Sequence, residues 1–259
     1  MMLRLLLFLF ILIPLHLQAK SIIDIKPEIG IFLPEIKGTI ENTQGVSDFK
    51  EDYQYEKSKA SFFSLDIDIN KKYIPSLYIS YLNLKTNTNS DLTKSARVAD
   101  GDFNSSVSTY IDYSIINAII YKDFMRKGTV KSIFGYQFYT GDLELDIGVN
   151  LKVLKWNFEI EDKVDLTKSS SWINAGLVIP IPYLGIQYYL YDLSIYSSIS
   201  ALSLSEAKLL SYQMGIDYRI VDSIYLSATY LYESFEAIEE NDTINFTTAG
   251  YKFSFKYKF

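Results

Sequence analysis

Carboxylates are the side chains in this sequence whose type and spacing most suggest chemistry. Asp66 and Asp68 sit two residues apart, as do Asp142, Glu144 and Asp146, so each set projects from one face of an extended segment. Acids at that spacing could pass a proton between them, the work of a general acid and a general base. The rest of the sequence argues against that use. It has one histidine, His16, and no cysteine, and the 12 glycines are scattered, forming no phosphate-cradling loop. No serine sits in a nucleophile elbow. Histidine, with a pKa of about 6.5, is the side chain suited to taking and returning a proton at neutral pH. Acids that are hydrated or paired with facing bases explain the carboxylates more simply, so no catalytic residue is assigned.

Two further acidic stretches, Glu239-Glu240-Asn241-Asp242 and Asp100-Gly101-Asp102, invite a Ca²⁺ reading but lack EF-hand spacing. They read as solvated loops, with no metal and no cofactor expected. With Lys+Arg 25 against Asp+Glu 31 the chain is acidic, which speaks against a nucleic-acid partner. The lack of cysteine excludes a disulfide scaffold.

The elements that would position these acids begin after residue 19. In Met1 to Ala19, Arg4 precedes the apolar run Leu5 to Leu15, and the stretch ends in small-residue cleavage chemistry at Leu17-Gln18-Ala19. It reads as a secretory signal peptide over 1–19, followed by a single domain over 20–259. The apolar run is shorter than the ~20 residues a membrane-spanning helix needs, and no later segment approaches that length. Twenty-two Tyr, 16 Phe and only 6 Pro suit pleated surfaces instead.

Alternation carries the fold prediction. In 209–220, Leu210, Tyr212, Met214, Ile216, Tyr218 and Ile220 oppose Ser211, Gln213, Gly215, Asp217 and Arg219. The same two-residue period runs through 142–154, 61–70 and the start of the chain, where Ile23, Ile25, Ile29 and Ile31 alternate with Asp24, Lys26, Glu28 and Gly30. A soluble sandwich gives the same signal. Strand length decides: these runs reach the roughly 9 to 11 residues of a tilted membrane strand, where globular strands average about 5 to 6. A sheet in lipid must close to leave no backbone group unpaired, so a closed antiparallel transmembrane β-barrel is expected.

Ten strands are predicted, near 22–33, 59–70, 76–86, 107–122, 142–154, 176–190, 193–204, 208–220, 223–236 and 246–259. Segments 34–58, 87–106 and 155–175 read as long outer loops. The connection 123–141 is long for a periplasmic turn and contains VKSIFGYQFY; pairing that with WNFEIEDKV (156–164) gives a twelve-strand alternative. Pro180 and Pro182 predict a bulge. Closing the barrel brings the first strand against the last, so Asp24, Lys26 and Glu28 are expected to share the lumen with Lys252, Lys256 and Lys258, with at least one of those lysines in ion-pair reach of Asp24 or Glu28.

The last strand places Tyr251, Phe253, Phe255, Tyr257 and Phe259 on its outward face. That run resembles the β-signal by which bacterial outer-membrane barrels are recognised for assembly. Together with INKKYIPSLYISYLNLKT (69–86), LELDIGVNLKVL (143–154) and IPIPYLGIQYYLYDLSIYSSISALS (179–203), it resembles a family of small proteobacterial outer-membrane β-barrel proteins of unassigned function. The resemblance covers most of the chain after residue 19 and rests on strand patterning. It implies residence in the outer membrane of a Gram-negative cell. The partners it implies are outer-membrane lipid, lipopolysaccharide and the barrel-assembly machinery. Known enzymatic barrels of that membrane resemble one another in needing a catalytic histidine, and none follows residue 19 here.

Ten strands enclose little space. The function expected is therefore non-enzymatic: a structural or surface-interaction role with a blocked lumen, or a narrow porin-like passive pore for ions and very small solutes. The alternative is a barrel that binds or transports an apolar ligand or lipid, with Ile116, Ile120, Tyr225 and Leu231 lining a greasy interior.

Overall fold

The computed structural model describes residues 23–259, apart from 43–44, 56–57, 70, 72, 93–95, 99–100, 104–105, 134–135, 166, 168, 206 and 240–241. The expected leader, 1–19, lies outside the described residues. The strands are β1 (Ile23–Asn42), β2 (Gly45–Asp48), β3 (Ala60–Ile69), β4 (Ser76–Asp91), β5 (Ala96–Val98), β6 (Gly101–Phe103), β7 (Ser106–Arg126) and β8 (Val130–Ile133). They continue with β9 (Tyr136–Tyr139), β10 (Asp142–Asp162), β11 (Ser169–Leu190), β12 (Leu193–Ser203), β13 (Ala207–Val221), β14 (Ile224–Glu239) and β15 (Asp242–Tyr257).

Ten of these form the wall, in the order β1-β3-β4-β7-β10-β11-β12-β13-β14-β15, each antiparallel to the next. β15 pairs back onto β1 from Glu28↔Lys256 to Glu41↔Thr243, which closes the ring. The fold is a ten-stranded antiparallel β-barrel. The twelve-strand alternative is corrected: β8 and β9 pair with each other as a separate hairpin, and 156–162 continues β10. Alternation runs unbroken through LKVLKWNFEIED, so the strand propagates, with one bulge between Leu154 and Trp156.

Following paired residues around the wall from Asp24, the circuit returns to β1 at Ile36, a stagger of 12 residues. Ten strands with that stagger tilt by about 40° and enclose a cylinder roughly 20 Å across at the backbone. β3 and β12 have only 10 and 11 residues, whereas β10 has 21, so at ~3.3 Å per residue and that tilt the tallest part of the wall rises about 50 Å. That is about twice the ~25 Å apolar band of an outer-membrane barrel. Of the segments expected as loops, 155–175 is mostly strand that continues the wall upward, while 34–58 and 87–106 do so only over 34–42 and 87–91.

The faces of the strands exchange roles partway up. On β10, Leu143, Leu145, Ile147 and Val149 point outward and are exposed, while Glu144, Asn150 and Lys152 are buried inside. From Leu154 onward the inward residues are Leu154, Trp156, Phe158 and Ile160, all buried, and the outward ones are Lys155, Asn157, Glu159 and Glu161. β1 repeats the exchange: Ile29, Ile31 and Leu33 face out low on the strand, then Phe32, Ile36 and Ile40 fill the interior opposite Glu35 and Lys37. The lower wall meets hydrocarbon, so its apolar side chains turn outward. The upper wall meets water, and the hydrophobic effect turns them inward.

Residues 45–55 fill the upper interior. β2 pairs with Thr39–Asn42, and the Phe49 N–H donates to the Gly38 carbonyl at 3.0 Å. Asp48 organises the turn that follows, its carboxylate accepting from the N–H groups of Lys50 and Glu51 at 2.7 and 2.9 Å. Phe49, Tyr53 and Tyr55 are thereby driven into the core. Gly38 is required by this arrangement: its φ is +136°, and a Cβ there would lie 1.9 Å from the Asn245 carbonyl oxygen.

Candidate functional site

The lumen is the candidate site, and it has two tiers. The lower tier is lined by charge. Lys252 Nζ lies 3.1 Å from Glu28, whose carboxylate also accepts from Ser64 Oγ at 2.8 Å and from Ser254 Oγ. Lys258 pairs with Asp24 at 2.7 Å. Lys256, which the sequence groups with these acids, reaches across to Asp217 on β13 at 2.6 Å. Lys26 lies 3.3 Å from Asp66 and 3.7 Å from Asp68. Period-2 alternation puts all of these groups on the inner face, where the low dielectric makes an opposite charge the cheapest neighbour.

The carboxylates singled out from sequence converge on the lower lumen: Asp66, Glu144 and Asp146 line one space with Lys26, and Asp68 and Asp142 join Asp66 and Glu144 around the cavity below it. Asp66 accepts from Tyr121 OH at 2.8 Å, and Asp68 from Ser76 Oγ at 3.1 Å. Glu144 accepts from Tyr189 OH at 3.0 Å. Asp142 sits at the turn-end rim of the lumen and ties down the β7–β10 connection, taking the Gly128 N–H at 2.8 Å, Lys127 at 3.0 Å and the Tyr139 hydroxyl. Among the described residues no group of three His, Cys, Asp or Glu is placed to hold a metal ion. The free space is small and polar. A cavity of about 510 Å³ lies at the turn end, lined by residues including Asp24, Lys26, Glu144, Tyr225 and Lys258. Above it, a space of about 100 Å³ lies between Asp146, Tyr183 and Lys252, and one of about 40 Å³ reaches Glu233.

The upper tier is a packed aromatic core. The Phe49 ring meets Phe158 edge-on at 5.5 Å and Phe246 at 5.8 Å. Tyr53 meets Phe158 at 5.4 Å, Tyr113 meets Phe246 at 4.9 Å, and Trp156 stacks near Phe158 at 5.9 Å. Burial pushes the Tyr53 phenol up to about 12, against a smaller opposing contribution from the Ser47 hydroxyl. Burial likewise raises the Tyr55 phenol. At the boundary between tiers Lys152 and Glu233 pair at 2.5 Å with almost no exposure, and Ser211 Oγ donates to the same carboxylate at 2.7 Å.

The greasy interior proposed from sequence needs correcting. Ile116 and Ile120 are 41% and 44% exposed on the outer face, among the hydrocarbon-facing residues of β7. Tyr225 lines the lower cavity, and only Leu231 points into the apolar tier. Pro180 and Pro182 mark no bulge; the bulges fall at Leu154/Trp156 and Arg219/Val221. The sequence reading missed the Lys152–Glu233 pair, Asp217 as the partner of Lys256, and the whole aromatic core. The signal for the core was available: Leu154, Trp156, Phe158 and Ile160 share the inward parity of Lys152.

No protein-family model and no curated protein sequence matches the chain. Three solved structures resemble it over most of their length. Neisserial surface protein A is 12% identical with a TM-score of 0.35, covering 92% of this chain and 98% of that one. Ail of Yersinia pestis, in complex with a heparin analogue, is 8% identical with a TM-score of 0.38, covering 92% and 99%. The outer membrane protease OmpT of Escherichia coli is 9% identical with a TM-score of 0.47, covering 92% and 96%. None of these likenesses assigns an activity. The chain's own architecture, a closed ladder with a hydrocarbon-facing belt and a charged lumen, is that of an outer-membrane β-barrel protein.

Proposed function

We propose that this protein is a non-enzymatic, non-conducting barrel of the outer membrane that holds a rigid water-exposed tower above the lipid surface. One observation carries the reading: residues 45–55 and the aromatic core they complete occupy the interior of the upper wall, so the polar lower lumen ends blind. The non-enzymatic part is supported by the lysine, tyrosine and serine groups that already engage Asp66, Asp68 and Glu144.

Single-channel recording of the refolded protein in a planar bilayer tests this. The native barrel is expected to give no stable conductance, and a variant with 46–57 replaced by a short Gly/Ser linker is expected to give discrete openings. A stable large conductance from the native protein refutes the reading. In the same account residues 1–19 direct export and Tyr251, Phe253, Phe255, Tyr257 and Phe259 are read by the assembly machinery. Lipopolysaccharide surrounds the tower's base.

A further inference from the structure

Among the described residues the wall is incomplete where its two short strands end: β3 stops at Ala60 while β1 and β4 run on, and a second gap opens beyond β12. β11 pairs with β12 only from Leu190↔Leu193 up to Tyr183↔Ser200, although β12 continues to pair with β13 as far as Ser203. Beyond Tyr183, from Pro182 back to Ser169, β11 is paired with β10 alone. Above the membrane the edge is met by the β5–β6 hairpin, where Ser170 Oγ donates to the Val98 carbonyl at 2.8 Å. The lower part of the gap lies within the apolar belt. Val178 pairs across β10 with Val153, and Val153 in turn with Ile116, which is exposed to hydrocarbon; the first outward charge, Lys155, comes only after that level.

An unpaired strand edge in hydrocarbon costs several kcal/mol for each unsatisfied backbone group. The chain lowers that cost with Pro180 and Pro182, which carry no N–H. Side-chain exposure shows the opening from within. Ile179 and Leu202 point inward and pack on the apolar core, yet both stay partly exposed, while Ile181 between them is 1% exposed. Inward side chains behind intact wall, such as Leu209, Ile115 and Leu154, are at most 5% exposed. The β11 lip of the gap is apolar as well, with Val178 63% exposed, and Leu204 in the turn after β12 is 55% exposed.

We propose that this gap is a lateral binding site for an acyl chain of the surrounding outer-leaflet lipid, which enters between β11 and β12 and lies against Ile179 and Leu202. Depth selects this occupant: at the level of Val153 the outside medium is hydrocarbon, and both the β11 lip and the floor are aliphatic. The floor is the closed core, so the chain stops in the wall and does not enter a channel.

The test uses the native protein reconstituted in bilayers of a phospholipid carrying a diazirine midway along one acyl chain, followed by mass-spectrometric mapping of the adducts. The expected result is labelling of the inward-facing Ile179 or Leu202 in addition to the outward Val178. Adducts confined to outward-facing residues overturn the proposal. A second arm restores two N–H donors with Pro180→Val/Pro182→Val, which lets the ladder extend; labelling of Leu202 is expected to fall by at least about fivefold. Unchanged inward labelling in a folded variant equally overturns it, and a variant that fails to fold leaves the native map to decide.

Discussion

Lys252 on β15 holds Glu28 on β1 at 3.1 Å across the seam that closes the barrel, with only 3% and 4% of the two side chains exposed. The Lys252 ammonium also sits 3.9 Å from the centre of the Phe62 ring. Removing one member of a buried pair strands the other, at a cost of about 3 to 5 kcal/mol, while replacing both with apolar groups is often neutral. Glu28→Leu is therefore expected to lower unfolding free energy by about that amount, and Glu28→Leu/Lys252→Met to recover most of it. Denaturant unfolding in lipid vesicles measures this; equal losses in the single and double variants would show that the pair does not act as a unit.

Tyr53 supplies a pH-dependent test of whether the upper tier is dry. Its phenol is raised from an ordinary value of 10.0 to about 12 by burial. The folded protein therefore keeps this proton longer than the unfolded chain does. The associated stability is complete below about pH 10 and is lost as pH rises through about 12. The phenolate absorbance difference between the native protein and Tyr53→Phe should have its midpoint near the upper end of that window. A midpoint near 10 would mean that water reaches the ring.

The outward aromatic run of β15 is proposed to act during assembly more than in the finished wall. Tyr251, Phe253 and Phe255 face lipid, while Phe259 stacks edge-on with Tyr257 at 4.5 Å and donates its N–H to the Ile25 carbonyl at 3.0 Å. Phe259→Ser leaves that backbone bond intact. Folding in vitro, followed by heat-modifiable gel migration, is expected to change by less than about 1 kcal/mol, as for a substitution outside the core. Insertion in cells is expected to drop several-fold. Equal losses in both assays would make the residue merely structural.

The ten wall strands were legible because a membrane strand must alternate, and the length of the alternating runs separated barrel from sandwich. The seam charges were legible for the same reason: Asp24, Glu28, Lys252 and Lys258 share a parity that closure brings together. The upper half was misread at the point where polarity inverts. The 142–154 run ends where Leu154 becomes the inward apolar residue, so WNFEIEDKV looked like a loop or a separate strand when it is the same strand in a different solvent. Ile116 and Ile120 were placed inside because the β7 sequence around IINAII is apolar at both parities, and alternation is silent there. Asp217, the partner of Lys256, lies two strands along the wall on the far side of β14, a relation that pairing of adjacent strands does not reveal.

The central claim is that one set of strands faces hydrocarbon below Leu154 and encloses a dry core above it. The lack of native cysteine allows it to be measured directly by single-cysteine substitution along β10 from Leu143 to Glu161, using lipid-soluble and water-soluble maleimides on the refolded protein in vesicles. The expected pattern is lipid-side reaction at 143, 145, 147 and 149, aqueous reaction at 155 and 161, and protection from both reagents at 154, 156, 158 and 160. Rapid aqueous modification at Trp156→Cys and Phe158→Cys, in variants that still fold, would mean an open, water-filled upper lumen and would contradict the account.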